Sequence, residues 1–378
     1  MSNKKIVILS ASTSLSHIRL VNALKVRAKY ISSDVDVIHI DALKYVSAFY
    51  RKKYIETHLE LIKKHPALWG YAYDKIDHVK CCPKMPDIKF AFLDGFTFGL
   101  RKKIKEIEPD AIIATHFLPA EQINRHKNEK LAKCYAAVIG DYDVHWLWIQ
   151  KNMDMFFVAN KESELRLVSR GVKKEKVKVT GIPINFGFEG RTKDKQNDLL
   201  VKHGLKPDKF TIILSSMGYG LGDEADIVNE IFAYFGDKVQ IMASAWNDLT
   251  LHEKLLYLEE NKYKGLLKVM NVSARFDKIL GCGDIAVIKA AGISTSGCMA
   301  LGIPVIVINP MPGDEERNAD YLVEKGVAYK VYDQLGLNYK INRLMDDSDL
   351  YSTMKQNALK AAKPNAAADI INSVLEVI

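Results

Sequence analysis

Two stretches of this chain carry residue types suited to holding a phosphate. After an apolar run at 285–288 come Lys289, Ala290, Ala291 and Gly292, then Ile293, Ser294, Thr295 and Ser296, a crowd of small residues entering a short helical pattern. Small residues let a ligand approach the backbone, and the N–H groups that open a helix favour an anion. The second stretch, Gly218, Tyr219 and Gly220, follows the apolar run 210–215 and precedes a helical run, the context in which a Gly-rich loop cradles phosphate. Asp314, Glu315 and Asn318 come after the run 305–308, where they can meet sugar hydroxyls; Asp314 can equally cap the helix it opens.

Other residues are suited to moving a proton. His17 lies in a polar loop after the run 5–10, where a histidine can act as a base near neutral pH or simply make a local hydrogen bond at a helix start. Asp141 and His145 follow the run 136–139 four residues apart, a spacing that puts both on one face of a helical turn. The plainer reading of that pair is a capping aspartate and a partly buried histidine. Asp141 and Asp143 have the DxD spacing of a metal motif, but no further cluster of histidines or carboxylates supports it, and no metal is expected. Between 45 and 80 the aromatics Tyr45, Phe49, Tyr50, Tyr54, Trp69, Tyr71 and Tyr73 interleave with basic residues such as Arg51, Lys52, Lys53, Lys63 and Lys64. A helix lying on an anionic bilayer needs that mixture, and an ordinary surface helix with solvated lysines also fits it.

The elements that must position these residues read as repeated βα units. Apolar runs at 5–10, 36–40, 111–115, 136–139, 155–159 and 177–180, then 210–215, 239–242, 267–269, 285–288, 305–308 and 328–331, alternate with helical patterns. The expected fold class is α/β, with two Rossmann-like doubly wound domains facing across a cleft. A polar segment makes 186–208 a linker with a short helix, separating an N-terminal domain (1–185) from a C-terminal one (209–378) that ends in a helical tail interrupted at Pro364.

A chain of 378 residues, 48% hydrophobic and 26% charged, is globular throughout and large enough for two cores. Five cysteines without framework spacing point to a reducing compartment, and the first apolar run is too short for a secretion signal or a membrane span. The expected location is the cytoplasm. The net charge of +8 favours anionic partners: a nucleotide, acidic lipid or, less readily, nucleic acid.

Four ordered segments resemble a known family, the GT-B glycosyltransferases that add sugar to diacylglycerol, with the lipid II N-acetylglucosaminyltransferase as a more distant relative. Against a pattern of the type KPGGxTxxEAxAxGxPxxxxxPxPGQExxNA, the chain matches at Lys289, Gly292, Ala300, Gly302, Pro304, Pro310, Pro312, Gly313, Glu315, Asn318 and Ala319. Asp141, His145 and Trp148 are similar to a TDFxxHxxW segment, 180–184 to the segment closing the first domain, and 14–23 to the loop carrying the first-domain histidine. The departures are Gly297 where the family has the Glu that holds the ribose of UDP, Ser14 and Ser16 for glycines, Ala290 and Ala291 for Pro-Gly, and Asp314 for Gln.

The resemblance implies an inverting, metal-independent hexosyltransferase with no cofactor, using a UDP-sugar as donor and a diacylglycerol-type lipid as acceptor, peripherally bound to the membrane. It implies His17 as base with Asp141 assisting. Gly218, Gly220, Arg275, Phe276, Lys289, Gly292, Ile293, Ser294, Thr295, Ser296, Asp314, Glu315 and Asn318 would hold the donor, Arg275 and Phe276 lying in the segment that meets uracil. His145, Trp148, Tyr50 and Tyr54 would meet the acceptor. A soluble metabolite, a polyprenyl lipid or a nucleic-acid base as acceptor stays open, as does a non-catalytic nucleotide- or lipid-binding relative, which Gly297 motivates.

Overall fold

A computed structural model of the chain describes residues 3–11, 15–48, 51–52, 56, 60, 64–78, 97–124, 130–185, 191–215, 224–245, 248–270 and 276–378. The chain forms two compact units, one of Met1–Asn185 with Met311–Asp314 and Asn365–Ile378, the other of Phe186–Pro310 with Glu315–Pro364.

The first unit is built on β1 (Lys4–Ser10), β2 (Val35–Asp41), β3 (Ala111–Ala114), β4 (Cys134–Val138), β5 (Met155–Val158) and β6 (Val177–Val179), in the order β2-β1-β3-β4-β5-β6. All neighbours are parallel, with Ile8 opposite His39 on one side and Ile113 on the other. Alternate side chains feed two cores: Val7, Leu9, Ile112 and Phe156 on one face, Ile6, Ile8, Ile113 and Phe157 on the other. Covering both faces is what a parallel sheet requires, and it explains the continuous apolar runs. The helices are α1 (Leu15–Ile31), α2 (Pro66–His78), α3 (Thr97–Ile107), α4 (Phe117–Asn124) and α5 (Lys161–Ser169).

The second unit has β7 (Phe210–Ser215), β8 (Val239–Ser244), β9 (Leu267–Val269), β10 (Ile285–Ile288), β11 (Val305–Ile308) and β12 (Ala328–Val331), in the order β12-β11-β10-β7-β8-β9. Its helices are α6 (Lys193–Lys202), α7 (Glu224–Phe235), α8 (Leu249–Asn261), α9 (Phe276–Cys282), α10 (Gly292–Ala300), α11 (Asp314–Glu324), α12 (Gln334–Asp346) and α13 (Ser348–Ala361). Side chains of Thr192, Asp248, Asp333 and Asp347 accept first-turn amides of α6, α8, α12 and α13, the usual way of satisfying a helix start. Ala291, which precedes α10, has no such group. The far end of α10 closes at Gly302, whose φ of 65° suits glycine, and Pro304 then leads into β11.

Two expectations about the domains need correction. The tail, assigned to the C-terminal domain, leaves it after Pro364: α14 (Ala366–Leu375) buries Ala367, Ile370, Ile371 and Val374 against Ile6, Ile8, Val21 and Leu24 of the first unit. Lys4 Nζ donates to the carbonyls of Leu375 (3.2 Å) and Ile378 (2.7 Å), meeting the negative end of that helix. The segment read as a linker belongs to the second unit, where Gln196 Nε2 donates to Cys282 O at 3.0 Å and to Asp284 Oδ1 at 2.9 Å.

Each strand order reverses once. In the first sheet β2 and β3 lie on opposite sides of β1; in the second, β8 and β10 lie on opposite sides of β7. Ligands of such sheets sit beyond the carboxyl ends of the strands at these switch points, here β1 with β3 and β7 with β10.

Candidate active site

At the first switch point, β1 leads into α1 and β3 leads into α4. His17, in the first turn of α1, is partly buried, and its Nδ1 lies 2.9 Å from Thr115 O. A carbonyl only accepts, so Nδ1 carries the proton and Nε2 holds the lone pair. Thr115 is fixed in turn, its amide and hydroxyl both donating to Leu9 O at 2.9 and 3.2 Å. Burial pushes the His17 pKa down to about 4, against the pull of the Thr115 carbonyl, so the ring is neutral at pH 7.

His116, absent from the sequence reading, stands directly against this ring: the centroids are 4.7 Å apart and the planes 77° inclined. The same rule that singled out His17, a titratable residue just past an apolar run, could have found it. Ser10, at the end of β1, places its Oγ 2.8 Å from His39 Nε2 on the neighbouring strand.

Asp141 is partly buried in the turn after β4, the strand beside β3. A Cβ on Gly140 would come within 2.7 Å of Leu20 Cδ1, so glycine there lets α1 lie close to this turn. Asn160 Nδ2 and Ser163 Oγ donate to Tyr142 O at 2.7 and 2.8 Å and tie the turn to the start of α5. The expected helical turn across 141–145 is absent; these residues form bends leading to a 3₁₀ turn at Trp146–Trp148, with His145 as its cap. Asp143 pairs with Arg166 Nε at 2.9 Å.

His145 is buried and both of its ring nitrogens are engaged. Nδ1 accepts from Leu147 N (3.2 Å), and Nε2 donates to Tyr73 O (3.0 Å) on α2. Asp77, also on α2, accepts from Trp146 N at 2.8 Å and from Arg170 Nη1 at 2.9 Å, its side chain wholly buried. These contacts fasten α2 to the body of the unit. Trp148 lies in the apolar core with Phe117 at its edge. The structure therefore gives His145 and Trp148, expected at the acceptor, positions beneath the surface that brace α2 and α4. Tyr50 and Tyr54 lie outside the described residues. Asp77→Asn is expected to lower stability by about 2 kcal/mol, because it replaces a charged acceptor of two buried hydrogen bonds with a neutral one; urea denaturation measures this.

At the second switch point, Lys289 directly follows β10, its ammonium donating to Asn309 O. Burial lowers its pKa, opposed by Glu315, itself buried on the first turn of α11. Asn318 Nδ2 donates to Ala290 O at 3.0 Å and clamps the turn into α10. Thr295 Oγ1 folds back onto Ala291 O and Gly292 O, and the amides of Ser294 and Thr295 are also spent on Ala291 O. Ser294 differs: its hydroxyl is buried and has no hydrogen-bond partner among the described residues. The start of α10 is thus buried, has no capping side chain at Ala291, and is lined with a hydroxyl that has no partner among the described residues. An anion answers that arrangement.

Ile293 and Ser296 are buried on the same helix, as is Gly297 in its middle. Asp314 opens α11. Gly218, Gly220 and Arg275 lie outside the described residues, as does the side chain of Phe276, which opens α9.

Two doubly wound parallel sheets, one with a neutral histidine beyond its switch point and the other with a buried helix start suited to an anion, make up a GT-B fold. The family described as monogalactosyldiacylglycerol (MGDG) synthase matches residues 17–184. Processive diacylglycerol beta-glucosyltransferase of Bacillus subtilis is 26% identical over 382 residues, covering 99% of this chain and 96% of that protein. Among solved structures, Staphylococcus aureus MnaA in a co-structure with UDP gives a TM-score of 0.62 at 14% identity, covering 99% of this chain and 98% of that one. Acinetobacter baumannii MurG gives 0.62 at 12%, covering 99% of both chains. The chain is thus similar over nearly its whole length to processive diacylglycerol beta-glucosyltransferase, and over residues 17–184 to the MGDG synthase family.

Proposed function

We propose that this protein transfers a hexose from a UDP-sugar to the hydroxyl of a diacylglycerol-type lipid, with inversion at the sugar. The observation that carries the reading is the buried, uncapped start of α10 with its unsatisfied Ser294 hydroxyl, a site shaped for a diphosphate. His17 Nε2 takes the proton from the acceptor hydroxyl as its oxygen attacks the anomeric carbon. The bond from that carbon to the diphosphate oxygen breaks on the opposite face, and the electron pair leaves with UDP. Charge growing on the diphosphate is met by the main-chain N–H groups and dipole of α10, so the reaction is proposed to need no metal. The relatives named for diacylglycerol, and the neighbour bound to UDP, support this choice of acceptor and donor.

The lipid would be met at a membrane surface through α2. Leu68 and Tyr71 on that helix are 55% and 62% exposed, and Lys75 Nζ lies 5.3 Å from the centre of the Tyr71 ring. Their spacing puts all three on one helix face, an apolar pair with a cation beside it. No helix among the described residues is long and apolar enough to cross a membrane.

The test is transfer of radiolabelled sugar from a panel of UDP-hexoses to vesicles containing diacylglycerol, beside a thermal-shift titration with UDP. Labelled glycolipid and a rise in Tm with UDP are expected. Absence of both, with folded protein, overturns the proposal; a UDP response without glycolipid removes the acceptor assignment.

A further inference from the structure

We infer that His116 is a positioning residue for the base: its imidazole, locked onto the start of α4, holds the His17 ring edge to face and shields it from water. The inference rests on His17 being the base only for its catalytic consequence. The contact between the two rings is a property of the folded protein.

One hydrogen bond, from Nδ1 to Thr115 O, fixes a single point of the His17 ring and leaves rotation about that bond open. The second constraint is the His116 ring at 4.7 Å and 77°. His116 can supply it because it is itself immobilised. It is buried, its Nδ1 accepts from Leu118 N at 3.0 Å, and the Phe117 ring also packs on it, with centroids 4.3 Å apart. The bond from Leu118 also sets the proton of His116. Nδ1 must be unprotonated to accept, since a proton there would point a donor at the Leu118 amide. Thr115 O and the His116 imidazole are the groups recorded against His17, and no charged side chain among the described residues contributes to its shift. Packing and dryness therefore govern its titration, and the ring of residue 116 is part of that packing.

Two substitutions separate the ring from its anchor. His116→Gln keeps an acceptor for Leu118 and removes the ring; His116→Phe keeps a ring and removes the acceptor. The His17 titration, followed by NMR in selectively labelled full-length protein, does not depend on the substrate. His116→Gln is expected to raise the His17 pKa by about one unit or more toward the ordinary value, while His116→Phe leaves it within about half a unit of the parent. In parallel, the acid limb of kcat/KM should move upward in His116→Gln and stay in place in His116→Phe, with the UDP thermal shift unchanged in both. A His17 titration that is the same in His116→Gln as in the parent overturns the inference, whatever the activity. If the titration shifts while the acid limb does not follow, the ring contact stands as structure, and the assignment of His17 as base and of a positioning role to His116 both fail.

Discussion

Replacing His17 by alanine is expected to lower the rate of sugar transfer by about two to four orders of magnitude, the usual contribution of a positioned proton acceptor, and to leave UDP binding intact. The neutral state of His17 is what makes it competent. With its pKa pushed down to about 4, the lone pair on Nε2 is available across the whole physiological range, and the activity should show no loss near pH 6.5 where an exposed histidine would protonate. The same burial has a consequence for stability. In the unfolded chain the residue takes up a proton as pH falls below 6.5, whereas in the folded protein it resists until about 4. The unfolded state therefore binds more protons in that window, so stability is complete above pH 6.5 and is lost as pH falls toward 4, by up to about 3 kcal/mol. His17→Ala should thus be nearly inactive at pH 7 and less sensitive to acid than the parent, two effects read separately by transfer assay and by urea denaturation at pH 7 and pH 4.5. Retained turnover in the variant would move the proton acceptor elsewhere, Asp141 being the next candidate on the same sheet edge.

The elements were legible because a parallel strand buried on both faces must be written as an uninterrupted apolar run. The runs at 285–288 and 305–308 became β10 and β11 residue for residue, and the small residues between them gave α10. Partner choice was not legible. The apolar stripe of α14 shows a helix that must be covered, but nothing local says that Ile6 and Val21, more than three hundred residues earlier, do the covering. His116 was missed for a related reason: it sits where a strand ends, and its value comes from a ring on another element. In the same way His145 and Trp148 have residue types suited to an acceptor site, yet their neighbours turn them inward, His145 toward the Tyr73 carbonyl and Trp148 toward Phe117.

The start of α10 permits a test in which affinity and stability move in opposite directions. Ala291 occupies the capping position with φ −67° and ψ 129°, an extended conformation that a capping aspartate adopts readily, yet alanine offers no side-chain acceptor to the helix start. Ala291→Asp should supply a side-chain acceptor at the cap and stabilise the unliganded protein by about 1 kcal/mol. The same carboxylate would occupy the space and the N–H groups assigned to the diphosphate, and would repel it. UDP binding should weaken about 100- to 1,000-fold, on the order of 3–4 kcal/mol. Ala291→Ser adds a cap without the charge, so it should retain most of the stabilisation and lose less affinity. In a thermal-shift experiment the Ala291→Asp protein should therefore melt higher than the parent alone and lower than the parent in saturating UDP. A variant that melts higher and still responds fully to UDP would show that the phosphates are held by another loop. One that melts lower would show that the α10 start is already satisfied in the free protein, and with it the reason for placing the donor there would be gone.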